Sequence, residues 1–159
     1  VVISADIAAT FDDRVFPGGL TYSGHPLATA SIVGSIDAMR EEKVNEHAAE
    51  IGEKVIGPGL RDLMDKHKVI GEVRGLGVFW ALDLVTDRAN REPLAPYAGT
   101  SPAMTELVAE CKKRFLIPFT NFNRMHVVPP ATVSEAEVTE GLAILDDVFG
   151  IIDAHYVGA

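Results

Sequence analysis

Val78-Phe79-Trp80-Ala81-Leu82-Asp83-Leu84-Val85 is the stretch from which the fold is read. Its β-branched and aromatic content suits a pleated, packed strand, and Thr86-Asp87-Arg88 ends it. Just before it, Val69-Ile70-Gly71-Glu72-Val73-Arg74 reads as an edge segment running into a turn. That turn, Arg74-Gly75-Leu76-Gly77, resembles a phosphate loop only in part. The full G-x-G-x-x-G pattern is absent and a strand follows where a helix is required, so a tight strand-to-strand connection is expected. After the strand, residues 87–101 hold Pro93, Pro96 and Gly99 with no apolar period, and read as a long loop. Pro102 to Arg114 is a helix with Met104, Leu107, Val108 and Cys111 on one side. Phe115–Phe119 and Met125–Val128 are two further strands, parted by the polar turn Asn121-Phe122-Asn123-Arg124. Pro129-Pro130 stops the second of them. Ser134-Glu135-Ala136-Glu137 is a capping box, opening a helix to about Tyr156 with Val138, Leu142, Leu145, Val148 and Ile152 facing inward. From Val69 onward the order is strand, strand, helix, strand, strand, helix. The fold class is therefore α+β: a small antiparallel sheet with helices on one face.

Upstream the pattern is helical. Leu27, Ile32, Ile36 and Met39 recur near one face from Pro26 on, up to a polar break at Glu41-Glu42-Lys43. A second run, Val44 to His67, contains Gly57-Pro58-Gly59, where a kink or break is predicted because Pro58 removes a backbone bond. At the start, Val1–Ser4 suits a strand and Ala5–Phe11 a helix capped by Ser4; Phe16-Pro17-Gly18-Gly19 is a loop. Between this loop and Pro26 lies Leu20-Thr21-Tyr22-Ser23-Gly24-His25. Pro26 fits a first helical turn, which places Thr21, Ser23 and Gly24 just outside a helix N-terminus. Two readings stay open there: the hydroxyls cap the helix, or they help hold an anion such as phosphate.

Composition narrows the function classes. Of 159 residues, 47% are hydrophobic and 23% charged, the balance of a globular domain with a real core. A net charge of −9 argues against a broad basic surface for nucleic acid or anionic lipid. The single cysteine, Cys111, rules out an internal disulfide framework and fits a reducing, cytoplasmic setting. No apolar run approaches the roughly twenty residues of a membrane helix. The five histidines (His25, His47, His67, His126, His155) lack i, i+4 spacing and no H-E-x-x-H occurs, so no metal site is expected. Arg124, between two strand ends, is a candidate for bidentate carboxylate binding; the alternative is a surface arginine paired with an acidic neighbour.

Three words in order, Thr21-Tyr22-Ser23-Gly24-His25-Pro26-Leu27-Ala28, Val73-Arg74-Gly75-Leu76-Gly77-Val78 and Val127-Val128-Pro129-Pro130, carry a resemblance over nearly the whole chain. Together they resemble the C-terminal part of class III, fold type I aminotransferases, which use pyridoxal 5′-phosphate. The resemblance implies a homodimeric enzyme that moves an amino group from an amine or amino acid donor to a 2-oxo acid such as pyruvate. It implies that Thr21 reaches across the dimer interface to the phosphate of a cofactor bound mainly by the other subunit. It also implies a division into residues 1–25, a remnant of the large cofactor domain; 26–68, linking helices; and 69–159, a small α+β domain. Many amine:pyruvate members carry a mobile arginine for the acceptor carboxylate where this chain has Phe119; taurine:pyruvate-type members resemble this chain in lacking it. Phe119 and Arg124 are then expected to shape the acceptor side of the pocket. No catalytic residue is assigned, because the family's Schiff-base lysine lies upstream of this Thr and none of the twenty residues before Thr21 is Lys; the first is Lys43. On that basis the chain is expected to be an inactive C-terminal fragment of such an enzyme. The alternative is a free-standing, non-enzymatic α+β interaction domain.

Overall fold

A computed structural model describes residues 2–158. The residues divide into two units, one up to Glu41 and one from Glu42 on, and the span read as linking helices has parts in both. In the first unit, α1 (Ala5–Ala9) starts on Ser4, whose hydroxyl accepts from the Ile7 amide at 3.4 Å. Turns follow it, ending the helix short of Phe11. Val2 to Ser4 form no strand, and Val1 lies outside the described residues. α2 (Pro26–Glu41) runs to the polar break. Its apolar stripe is not buried: Leu27 is 75% and Ile32 57% exposed.

In the second unit, Lys43 at φ 52° marks the break and α3 (Val44–Ile51) begins after it. Pro58 does not break the helical run that follows. The backbone widens to one π-helical turn over Gly52–Ile56, with the Gly57 amide donating to the Gly52 carbonyl, and α4 (Gly57–Lys66) continues with Pro58 in its first turn. An i→i+5 turn there accommodates a residue that has no N–H, so the chain widens where a kink was expected.

The sheet holds β1 (Ile70–Leu76), β2 (Phe79–Asp87), β4 (Phe119–Asn121) and β5 (Arg124–Val127), all antiparallel, in the order β1-β2-β5-β4. β3 (Glu92–Pro93) pairs with the end of β2 inside the long loop. α5 (Pro102–Lys113) and α6 (Glu135–Ile152) cover one face together with α4. Leu60, Ile70, Leu82, Leu84, Leu107, Met125, Phe149 and Ile152 are fully buried between these layers. Burying each such side chain contributes about 1.5–3 kcal/mol. Cys111 lies in this core, and burial pushes its thiol up to about 11. The α+β fold with a small antiparallel sheet and helices on one face is therefore present.

Phe115–Pro118 differ from expectation, since they form no strand. Phe115 turns to φ 60°, and the amides of Phe115 and Leu116 donate to the Lys112 and Cys111 carbonyls at 3.1 and 3.0 Å. The segment closes the C-terminus of α5, and satisfying orphan carbonyls outweighs its strand propensity. The capping box of α6 is complete: the Glu137 amide donates to the Ser134 hydroxyl at 3.3 Å and the Ser134 amide to the Glu137 carboxylate at 2.8 Å.

Behind the sheet, His67 ties α4 to α6. Its Nδ1 stands 2.8 Å from Asp153 Oδ2 and its Nε2 2.6 Å from Asp146 Oδ1, so the ring bridges the two carboxylates. Lys66 also donates to Asp146, and these two donors hold its carboxyl below the ordinary aspartate range. Asp153 accepts in addition from the Val69 amide at 3.0 Å, which fixes the entry into β1.

Candidate functional site

Thr21 opens a run of turns that leads into α2. The Ser23 amide donates to the Leu20 carbonyl at 3.1 Å and the His25 amide to Tyr22 at 3.2 Å. Gly24 sits at φ 68°, a conformation that glycine adopts without steric cost. The first turn of α2 is held by Thr29, whose hydroxyl donates to the Pro26 carbonyl at 2.9 Å. Among the described residues neither the Thr21 nor the Ser23 side chain makes a hydrogen bond, so neither hydroxyl caps the helix. Thr21 is exposed.

The second candidate region is the face of the sheet that the helices leave open. Strand register puts its side chains in rows. Phe119 pairs with His126, His126 with Ala81, and Ala81 with Arg74. One row over, Asn121 pairs with Arg124, Arg124 with Asp83, and Asp83 with Glu72. Phe119 and Arg124 therefore lie on one face, in adjacent rows. The Phe119 and His126 rings meet edge to face with centroids 5.2 Å apart, and Phe79 approaches His126 from the other side at 5.7 Å. Phe119 keeps 65% of its surface exposed, so the aromatic cluster is open to solvent.

Asp83 organises the charged row. Arg74 donates to its Oδ2, which raises the pKa of that guanidinium further. Arg124 Nε stands 3.4 Å from Asp83 Oδ1. The Nη groups of Arg124 have no hydrogen-bond partner among the described residues, so the planar fork is open. Beside it lies a cavity of about 580 Å³ lined by Glu72, Asp83, Arg88, Arg91, Asn123 and Arg124. Asn123 is locked in place: its carbonyl accepts from the Leu84 amide at 2.9 Å and its side-chain amide donates to the Leu84 carbonyl at 3.0 Å.

Sequence reasoning picked out Phe119 and Arg124, but not Asp83 or Arg91. It gave His126 as a strand histidine with a core reading open, whereas the ring stands among the open-face aromatics. The period-two alternation of β2 puts Phe79 and Asp83 on one side. The missing signal was register, which brings β5 beside β2. The glycine motif is a β1–β2 turn with Gly77 at φ 55°, and its carbonyl accepts from the Trp80 indole at 2.7 Å. Among the described residues no group of three or more His, Cys, Asp or Glu could hold a metal ion.

Comparison with known proteins gives these positions a family context. The model of the family described as Aminotransferase class-III matches residues 2–149. The chain is 34% identical over 142 residues to 5-aminovalerate aminotransferase DavT of Pseudomonas aeruginosa, covering 86% of this chain and 32% of that protein. It is 33% identical over 138 residues to ethanolamine-phosphate phospho-lyase homolog 1 of Caenorhabditis elegans, covering 84% of this chain and 28% of that protein. The structure of taurine:2-oxoglutarate aminotransferase from Bifidobacterium kashiwanohense, in complex with PLP and glutamate, superimposes with a TM-score of 0.87 at 32% identity. That match covers 98% of this chain and 34% of the other. The chain thus spans about a third of the length of the proteins it matches. By both sequence and fold, it belongs to the class-III aminotransferase family.

Proposed function

We propose that this chain is one part of a pyridoxal-phosphate-dependent aminotransferase that moves an amino group from an amine or amino acid to a 2-oxo acid. The observation that carries this reading is the family match over residues 2–149, with the Thr21 hydroxyl exposed and unbonded at its turn. When bound, the cofactor supplies the electron sink for the transfer; protein side chains bind, orient and exclude water. In this reading Thr21 donates to the cofactor phosphate from across a homodimer interface. Arg124 binds the carboxylate of the 2-oxo acid through its open fork, and Phe119 forms the wall beside it. In this reading none of the lysines of this chain is assigned to carry the cofactor. We place the assembled enzyme in the cytoplasm. The division into a large-domain remnant, linking helices and a small domain belongs to the same reading.

The test is a pyridoxal phosphate absorbance titration of this chain and of the product of its complete gene, followed by an amine-dependent assay with pyruvate. The gene product is expected to bind the cofactor and to need the 2-oxo acid for turnover; the chain alone is expected to do neither. Thr21→Ala in the gene product is expected to weaken cofactor binding about tenfold, the loss of one charge-assisted hydrogen bond. Turnover that releases ammonia without any 2-oxo acid would replace transfer by elimination, the chemistry in the printed name of one relative.

A further inference from the structure

Among the described residues His67 is the one polar side chain that the core buries, at 4% exposed, and the proposed reaction makes no use of it. It follows α4 and packs on the Phe149 ring of α6, with centroids 6.0 Å apart. Few charged groups surround it. Asp146 of α6 stands against Nε2, and Asp153, in the turn after α6, stands against Nδ1. Lys66, at the end of α4, donates to the other oxygen of Asp146, and the Val69 amide donates to the other oxygen of Asp153. Arg88, just after β2, donates to the His67 carbonyl at 2.6 Å, on the backbone side of the residue. Lys68 is engaged elsewhere, over the Tyr156 ring.

Ionised carboxylates only accept hydrogen bonds, and a neutral imidazole offers one N–H and one lone pair. With a neutral ring, one of the two contacts would set a lone pair against a carboxylate oxygen no more than 2.8 Å away. Lys66 and Arg88 oppose a further cation, but they touch a carboxylate and the backbone, whereas both carboxylates are in hydrogen-bond contact with the ring itself. From this geometry we infer that His67 is a pH-operated latch. Protonated on both nitrogens, the ring binds the end of α4 to α6 and, through Asp153 and the Val69 amide, to the entry of β1. Loss of one ring proton leaves a lone pair facing an anion, and one contact opens. Asp146 then still has the Lys66 ammonium, while Asp153 has only the Val69 amide, so the Asp153 side is the one released. A ring that holds its second proton in the fold and gives it up on unfolding stabilises the fold below about 6.5, the ordinary histidine value, and that contribution is lost as pH rises.

The test is NMR of the histidine ring nitrogens in this chain between about pH 6 and 9, with the urea-unfolded chain as reference. At pH 7.5 both His67 nitrogens are expected to give N–H-type signals, whereas the histidines of the unfolded chain are about nine-tenths neutral. Exchange of the Val69 amide reads the latch itself. Corrected for the intrinsic rise with pH, its protection is expected to fall about tenfold across this range, the loss of one charge-assisted hydrogen bond. In His67→Gln, whose side chain does not titrate, that fall is expected to vanish. A neutral His67 ring at pH 7.5, Val69 protection that stays constant with pH, or an equal fall in His67→Gln would each overturn the inference. If His67→Gln does not fold, the ring signals and Val69 exchange of the unaltered chain decide alone.

Discussion

At the scale of single residues, close approach and charge decide the outcome. Gly52, in the π-helical turn, lies against the Gly77 carbonyl, and a Cβ there would overlap backbone that cannot move aside. Gly52→Ala is therefore expected to destabilise the second unit by about 1–3 kcal/mol, seen as a lower urea midpoint with an unchanged slope. Gly34, in α2 with open space around it, is the control: the same change is expected to be neutral or slightly stabilising. Asp146 gives a pH signature. Its carboxyl is held below the ordinary value of 3.8 by Lys66 first and His67 second. A depressed folded value means stability that is present above the ordinary value and lost as pH falls through the depressed one. Asp146→Asn is accordingly expected to lower stability at pH 7 and to flatten the loss on acidification. Urea midpoints at pH 7, 4 and 3 check this, and parallel curves for both proteins would contradict it.

Elements show which sequence signals survive assembly. The capping box of α6 was legible because Ser134 and Glu137 act on backbone of their own helix turn. Ser134→Ala is expected to cost about 1 kcal/mol of stability, within a range of 0.5–2. Glu137→Gln is expected to retain most of the cap, since an amide oxygen still accepts from the Ser134 amide. The Phe115–Pro118 segment shows the converse. Its residues favour a strand, yet the unpaired carbonyls at the end of α5 recruit Phe115 and Leu116 as cap donors. Pro58 was expected to kink its helix, and the residues alone did not say that a π-helical turn would take it up. Neither outcome can be read from local preference, because each depends on what the neighbouring turn leaves unsatisfied.

For the whole molecule, burial is uneven. None of residues 2–41 is buried, whereas the core residues all lie in the second unit. Amide exchange is expected to separate the two: fast throughout residues 2–41, and slowest at Leu82, Leu84, Leu107 and Val148 in the sheet and its covering helices. Uniform protection along the chain would contradict this. The apolar stripe of α2 was legible as a pattern, but a pattern shows which side can be buried and not whether anything covers it. The α+β class, the Ser4 and Ser134 caps and the hairpin at Gly77 followed from the sequence. Each rests on interactions between residues a few positions apart. The rows on the open face, with Phe119 beside His126, Arg124 on Asp83 and Arg91 on the same cavity, were decided by tertiary structure. Strand register sets those neighbours, and register follows from how the buried sides of β2 and β5 seat on the helices, a relation between distant segments that no single segment encodes.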